Sequence, residues 1–153
     1  MKYVLGAVLL SLSTFCGYVL SFRYRERLNF YSDFYSFNER LKTAVSFTLQ
    51  TLGSLVKDDG KSDFPTLLRG FINDGKRIKD KPSALSPEER DFFWDYAESI
   101  GKSDRFSQLD YLNGSEKTIA EKLKKSESEY KKYKPVCVKL GFLFGLILFV
   151  LVM

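Results

Sequence analysis

Histidine is absent from the 153-residue chain. That absence removes the commonest general base and the commonest metal ligand. Cysteine is nearly absent. Cys16 and Cys137 stand far apart, one near each end and both in apolar surroundings. They offer no zinc-ligand spacing and no disulfide scaffold, and read as small apolar residues of membrane helices. Proline occurs four times, which leaves long stretches without a helix breaker, and strand-like alternation competes nowhere. A basic face is also missing where a nucleic-acid binder would need one. The chain carries 24 Lys+Arg against 19 Asp+Glu, a net +5, yet residues 28–130 hold 16 basic and 18 acidic side chains. The excess sits in two collars, Arg23, Arg25 and Arg27 on one side and Lys131, Lys132, Lys134 and Lys139 on the other. A nucleic-acid partner would need basic charge on the folded domain itself, so none is expected.

Two long uncharged runs are present. Residues 3–22 read YVLGAVLLSLSTFCGYVLSF. At about 1.5 Å per residue such a helix just spans a hydrocarbon core of about 30 Å. A cleaved signal peptide fits less well: the n-region is only Met1 and Lys2, the apolar stretch is long, and no small-residue cleavage site precedes the Arg cluster. Bulky Phe15 also stands where lipoprotein processing at Cys16 would want a small residue. The second run, residues 140–153, reads LGFLFGLILFVLVM and is apolar on every face, which a small soluble domain could hardly bury. With residues 136–138, and with Lys139 snorkelling, it too is long enough to span.

The expected organisation is a transmembrane helix over residues 3–22, a helical domain over 23–134 and a second transmembrane helix over 136–153. Both basic collars flank the middle, while Lys2 is the only charge beyond the anchors. The positive-inside rule then puts the central domain in the cytoplasm and both termini outside. Gly141 and Gly145 form a G-x-x-x-G, and Ser13, Gly17 and Ser21 recur every four residues, so Gly17, Gly141 and Gly145 are the expected helix-packing positions in the membrane.

The middle reads as helical throughout. Residues 23–56 lack proline, and Leu28, Tyr31, Tyr35, Leu41, Val45, Thr48/Leu49 and Leu52 recur near the helical period. The segment KDDGKS at 57–62 is a break. Asp63 is the expected cap of a second helix with Pro65 in its first turn and Phe64, Leu67, Leu68, Phe71 and Ile72 on its apolar face. A loop over 79–84 contains Pro82. Ser86-Pro87-Glu88-Glu89 is a capping-box start, followed by a face of Phe92, Phe93, Tyr96, Ala97 and Ile100 and a stop at Gly101. Ser103 is the expected cap of the last helix, with Asp104 near its positive end and a stripe of Phe106, Leu109, Leu112, Ile119/Ala120 and Leu123. A charged stalk follows to Tyr133, and Pro135 predicts a kink. The fold class is all-α: an antiparallel helical bundle between N-terminal and C-terminal transmembrane helices.

Few residues suggest chemistry. Gly60-Lys61-Ser62 and Gly101-Lys102-Ser103 end like a phosphate-binding loop, but Leu55 and Tyr96 stand where its first glycine is required and no strand precedes either. Asp58-Asp59-Gly60 lacks calcium-loop spacing. Asp91 and Asp95, one turn apart beside Arg90, read as a solvated face, although a carboxylate enzyme using Asp91, Asp95 or Glu98 is the competing class. A stand-alone pore is a third class, disfavoured because neither anchor carries a polar residue beyond Ser or Thr. Asn113-Gly114-Ser115 is a glycosylation sequon that a cytoplasmic domain would not use. No activated nucleophile is present. A non-enzyme with no cofactor, no metal and no small-molecule substrate is expected.

Four features in order carry a family likeness: Leu5-Gly6-Ala7-Val8 running through Gly17-Tyr18 into Arg23-Tyr24-Arg25-Glu26-Arg27; Ile100-Gly101 followed by Asp104-Arg105-Phe106-Ser107-Gln108; the charged stalk; and Lys139-Leu140-Gly141-Phe142-Leu143-Phe144-Gly145-Leu146. With these the chain resembles the stage III sporulation protein AB family of endospore-forming bacteria. The resemblance implies a structural component of the channel-like complex joining mother cell and forespore, seated in the mother-cell membrane. It implies a helical domain similar to the cytoplasmic domains of type II secretion and type IV pilus platform proteins. It implies other sporulation channel proteins as partners, among them a cytoplasmic secretion-type ATPase, and supplies no catalytic residues. Gly101, Asp104, Arg105 and Gln108 become the candidate interaction turn. A platform component of another secretion or pilus system is the alternative.

Overall fold

A computed structural model of the chain describes residues 2–47, 52–56, 62–78 and 82–152. These form helices α1 (Lys2–Phe47), α2 (Leu52–Leu55), α3 (Phe64–Asp74), α4 (Pro87–Ser99) and α5 (Arg105–Val152), with no strand among the described residues. The chain divides into two compact units: Met1–Arg25 with Ser126–Met153, and Glu26–Lys125. Both α1 and α5 contribute to each unit, and each contains a window long and apolar enough to cross a membrane.

α1 runs 46 residues, Lys2–Phe47, consistent with its lack of proline, and residues Leu52–Leu55 are helical again. Thr48, Leu49 and the break at 57–61 lie outside the described residues. α5 runs 48 residues and continues through Pro135. The ring forfeits one backbone hydrogen bond, and the neighbouring turns carry the helix past it.

The Glu26–Lys125 unit is a bundle built on aromatic side chains. α1 buries Phe30, Tyr31, Phe34, Phe37 and Leu41, while Leu28, Tyr35 and Val45 are only half-buried. The buried stripe is thus rotated from the expected one, because the phenylalanines between those positions set its centre. Phe64 of α3 and Phe93 and Tyr96 of α4 close on the same centre: the Phe34 ring lies 5.3 Å from Phe64, 5.8 Å from Phe93 and 4.7 Å from Tyr96. Phe64 is stacked on Phe34 and the other two rings meet it edge-to-face, and such pairs add about 0.5–1.5 kcal/mol beyond burial. Trp94, the single tryptophan, is 3% exposed and packs between Phe93 and Phe71. Within this unit α1 and α5 are antiparallel, since Ser46 meets Arg105, Lys42 meets Glu116 and Asn38 meets Leu112.

The helix starts differ in how closely they follow the sequence. Ser86 accepts from the Glu89 N–H while the Glu89 carboxylate accepts from the Ser86 N–H, the full capping box, with Pro87 at N1. Asp63 occupies the cap position of α3 without a side-chain cap bond. The Ser62 hydroxyl takes the Phe64 N–H instead, and itself donates to Asp33. Ile72, on the expected apolar face of α3, is exposed. α5 starts one residue later than expected, so Asp104 rather than Ser103 is its cap, accepting from the Ser107 N–H at 3.3 Å. That register also turns Phe106 outward, 79% exposed, off the stripe that buries Leu112 and Ile119.

Candidate functional site

The turn between α4 and α5 brings the four candidate interaction residues into one hydrogen-bonded knot. Gly101 adopts φ 78°, the left-handed region glycine enters without strain. Its N–H donates to the Gln108 Oε1 at 3.0 Å, and the Ser103 hydroxyl donates to the same oxygen at 3.3 Å. Gln108 is 4% exposed. Asp104 caps α5, and the bonds it accepts from Ser107 hold its carboxyl below the usual aspartate range. Arg105 reaches back to the Ser46 carbonyl at the end of α1. Gln108 thereby fixes the turn from inside, Arg105 ties it to α1, and exposed Phe106 stands on its outer side.

A polar group that the sequence did not disclose lies under α4. Asn38 is fully buried, accepts from the Tyr96 hydroxyl at 2.8 Å and faces the Leu112 carbonyl at 3.5 Å. Burial pushes the Tyr96 phenol well above its ordinary value, so it stays a donor. Its one signal in the sequence is spacing: Asn38 follows Phe34 by four residues and so shares its face. Nearby, Arg27 donates to Glu89 at 2.6 Å, with Lys122 at 3.9 Å. Burial works to raise the Glu89 carboxyl, but the Ser86 N–H and Arg27 outweigh it and the net direction is down. Arg27, expected as a collar residue, is held here inside the bundle unit.

Of the competing catalytic carboxylates, Asp95 and Glu98 both grip Arg77, at 3.0 and 2.6 Å. Asp91 is exposed. Among the described residues no cluster of three or more potential metal ligands occurs.

In the other unit the two long helices pack directly and antiparallel. The Ser13 hydroxyl donates to the Gly141 carbonyl at 2.7 Å. A Cβ placed on Gly17 would stand 2.5 Å from the Cys137 carbonyl oxygen and 3.1 Å from the Gly141 Cα. One on Gly145 would stand 3.1 Å from the Leu10 Cα. Glycine at these points is what allows the backbones to touch. Toward their other ends the helices meet again where Tyr24 stacks on Tyr133 at 5.0 Å. Arg23, Arg25, Lys131, Lys132, Lys134 and Lys139 are exposed around this end. Phe15, Leu20, Phe144 and Leu151 are apolar and exposed along the pair.

A family model described as stage III sporulation protein AB matches residues 66–153, more than half of the chain. The chain belongs to this family. It is a sporulation protein, and the family is not one of known enzymes. The stage III sporulation protein AB match covers most of α3 and all of α4 and α5, and so includes the Gly101–Gln108 turn, Glu89, Tyr96, the lysine collar and the Gly141/Gly145 pair. It leaves α1 outside, with Gly17, Asn38 and the arginine collar. No curated protein and no solved structure matches the chain.

Proposed function

We propose that this sporulation protein is a two-pass membrane adaptor without catalytic activity. Its first and last helices cross the mother-cell membrane facing the forespore. Its bundle lies in the cytoplasm as a platform-type domain, with the chain ends on the opposite side. There it docks a cytoplasmic secretion-type ATPase and passes contacts through its anchors to the rest of the channel complex. The observation that carries this reading is the helix pair itself. Two antiparallel helices touch through glycines and expose apolar side chains outward, which suits lipid rather than water. The basic collars on the bundle side support the orientation, and the sporulation family supports the setting. The Gly101–Gln108 turn is the docking element in this reading, with Phe106 as its apolar contact.

Crosslinking in sporulating cells followed by affinity capture of the full chain tests it. A photocrosslinker at Phe106 should capture the ATPase, and one at Phe144 should capture membrane components. Capture of neither, with normal sporulation after deletion, would overturn the adaptor role.

A further inference from the structure

The two collars are not independent in space. Each contains the same triplet, a tyrosine between two cations: Arg23-Tyr24-Arg25 on α1 and Lys132-Tyr133-Lys134 on α5. The two tyrosines stack, with ring centroids 5.0 Å apart and planes at 21°. A residue next to a stacked tyrosine lies within about 1.5 Å of its level along the helix, and the two residues flanking it stand about 200° apart around the axis, so the stack sets four cations at one height, two on each flank of the helix pair. All four are exposed. None of them has a carboxylate partner among the described residues, whereas the neighbouring Lys131 is taken by Glu127 at 2.6 Å. The Lys132 ammonium lies over the Tyr133 ring and the Lys134 ammonium over Tyr130, at 5.4 and 5.3 Å. Aromatic rings with amphipathic tips suit the headgroup level of a bilayer, and cations there attract anionic lipid at about 1 kcal/mol each, about fivefold.

We infer that the stacked triplets bind anionic phospholipid headgroups on both flanks of the helix pair, with Arg23, Arg25, Lys132 and Lys134 as the phosphate contacts and the Tyr24–Tyr133 stack as the clamp that holds them at one level. The occupant is fixed by charge complementarity: four cations at one level without a carboxylate partner among the described residues, bordering the apolar helix surfaces around Leu20, Phe22, Val136 and Leu140 that would face the acyl chains. This inference rests on the proposed membrane-spanning reading.

The test reconstitutes the full chain into phosphatidylcholine vesicles carrying a trace of spin-labelled phosphatidylglycerol or spin-labelled phosphatidylcholine, and reads the motionally restricted fraction of each. The wild-type chain should restrict phosphatidylglycerol severalfold more than phosphatidylcholine, and added NaCl should lower the preference. Replacing the four cations by Gln should abolish it. Tyr24→Ala with Tyr133→Ala, which keeps every charge, should weaken it, and Tyr24→Phe with Tyr133→Phe should retain it. Equal restriction of both lipids by a chain that floats with the vesicles overturns the headgroup site alone. A chain that does not float with them overturns the membrane reading as well. Loss of the preference to inorganic phosphate, but not to NaCl of equal ionic strength, overturns lipid as the ligand.

Discussion

The Asn38–Tyr96 bond is the sharpest test of how the bundle is held. Tyr96→Phe removes one oxygen and leaves the Asn38 Oδ1 without its 2.8 Å donor at a fully buried site. An orphaned buried acceptor costs about 1–3 kcal/mol. The remaining contact, Asn38 Nδ2 to the Leu112 carbonyl at 3.5 Å, is too long to compensate. Asn38→Leu strands the Tyr96 hydroxyl instead and should cost a similar amount. The double variant strands neither, so it should be nearly as stable as wild type, and the coupling should approach the sum of the two single costs, at least about 2 kcal/mol. For a domain of this size 1 kcal/mol moves Tm by about 4–8 °C. Trp94 provides the probe. It is the single tryptophan and is buried against Phe93, so its fluorescence follows unfolding of this unit in the full chain held in detergent. Additive single-variant costs, or a Tyr96→Phe change below about 0.5 kcal/mol, would refute the reasoning.

Three further outcomes are expected. Glu89 has its carboxyl held below the ordinary 4.5, so the stability it contributes is full above that value and is lost as pH falls through the folded one. The difference in unfolding free energy between wild type and Glu89→Gln should therefore be largest near neutrality, at about 2–3 kcal/mol, and shrink in acid; a pH-independent difference would contradict this. Gly17→Ala drives a methyl against the Cys137 backbone and should separate the helices at about 1–3 kcal/mol. Gly6→Ala meets only the Phe149 ring, which can turn aside. Spin labels on the native Cys16 and Cys137 should show dipolar broadening that Gly17→Ala reduces and Gly6→Ala leaves. Asp91→Ala, Asp95→Ala and Glu98→Ala remove surface carboxylates, the last two paired with Arg77, and should each leave stability nearly unchanged and spore yield unchanged; loss of sporulation with the complex still assembled would restore the enzyme reading.

Local chemistry was the most legible part of the sequence. Ser86 and Glu89 announce their capping box because both partners lie within one turn. The Gly101 stop is equally local. The start of α5 is ambiguous by one residue because Ser103 and Asp104 are both good caps, and in the fold the Gln108 carboxamide occupies Ser103 while Asp104 takes the Ser107 N–H. That shift also takes Phe106 off the buried stripe. The phase of the α1 stripe is ambiguous for a related reason: aromatic residues stand on more than one face between Phe30 and Phe37, and α3 and α4 choose the face that is buried. The Asn38–Tyr96 and Arg27–Glu89 pairs join residues 58 and 62 positions apart, and no periodicity encodes such distances. The Arg27 charge belongs to the collar in sequence, and its guanidinium also closes on Glu89. Of the candidate turn, the residues were legible and the knot was not, because the Gln108 side chain reaches back across seven residues to Gly101.

The central claim is that the bundle is a cytoplasmic domain slung between two membrane helices. Placing one cysteine at exposed Asp91, with Cys16 and Cys137 replaced by Ala, tests it directly with a membrane-impermeant maleimide. The account predicts no labelling of Asp91→Cys in intact cells and full labelling once the membrane is permeabilised. Labelling in intact cells would put the bundle outside and contradict it.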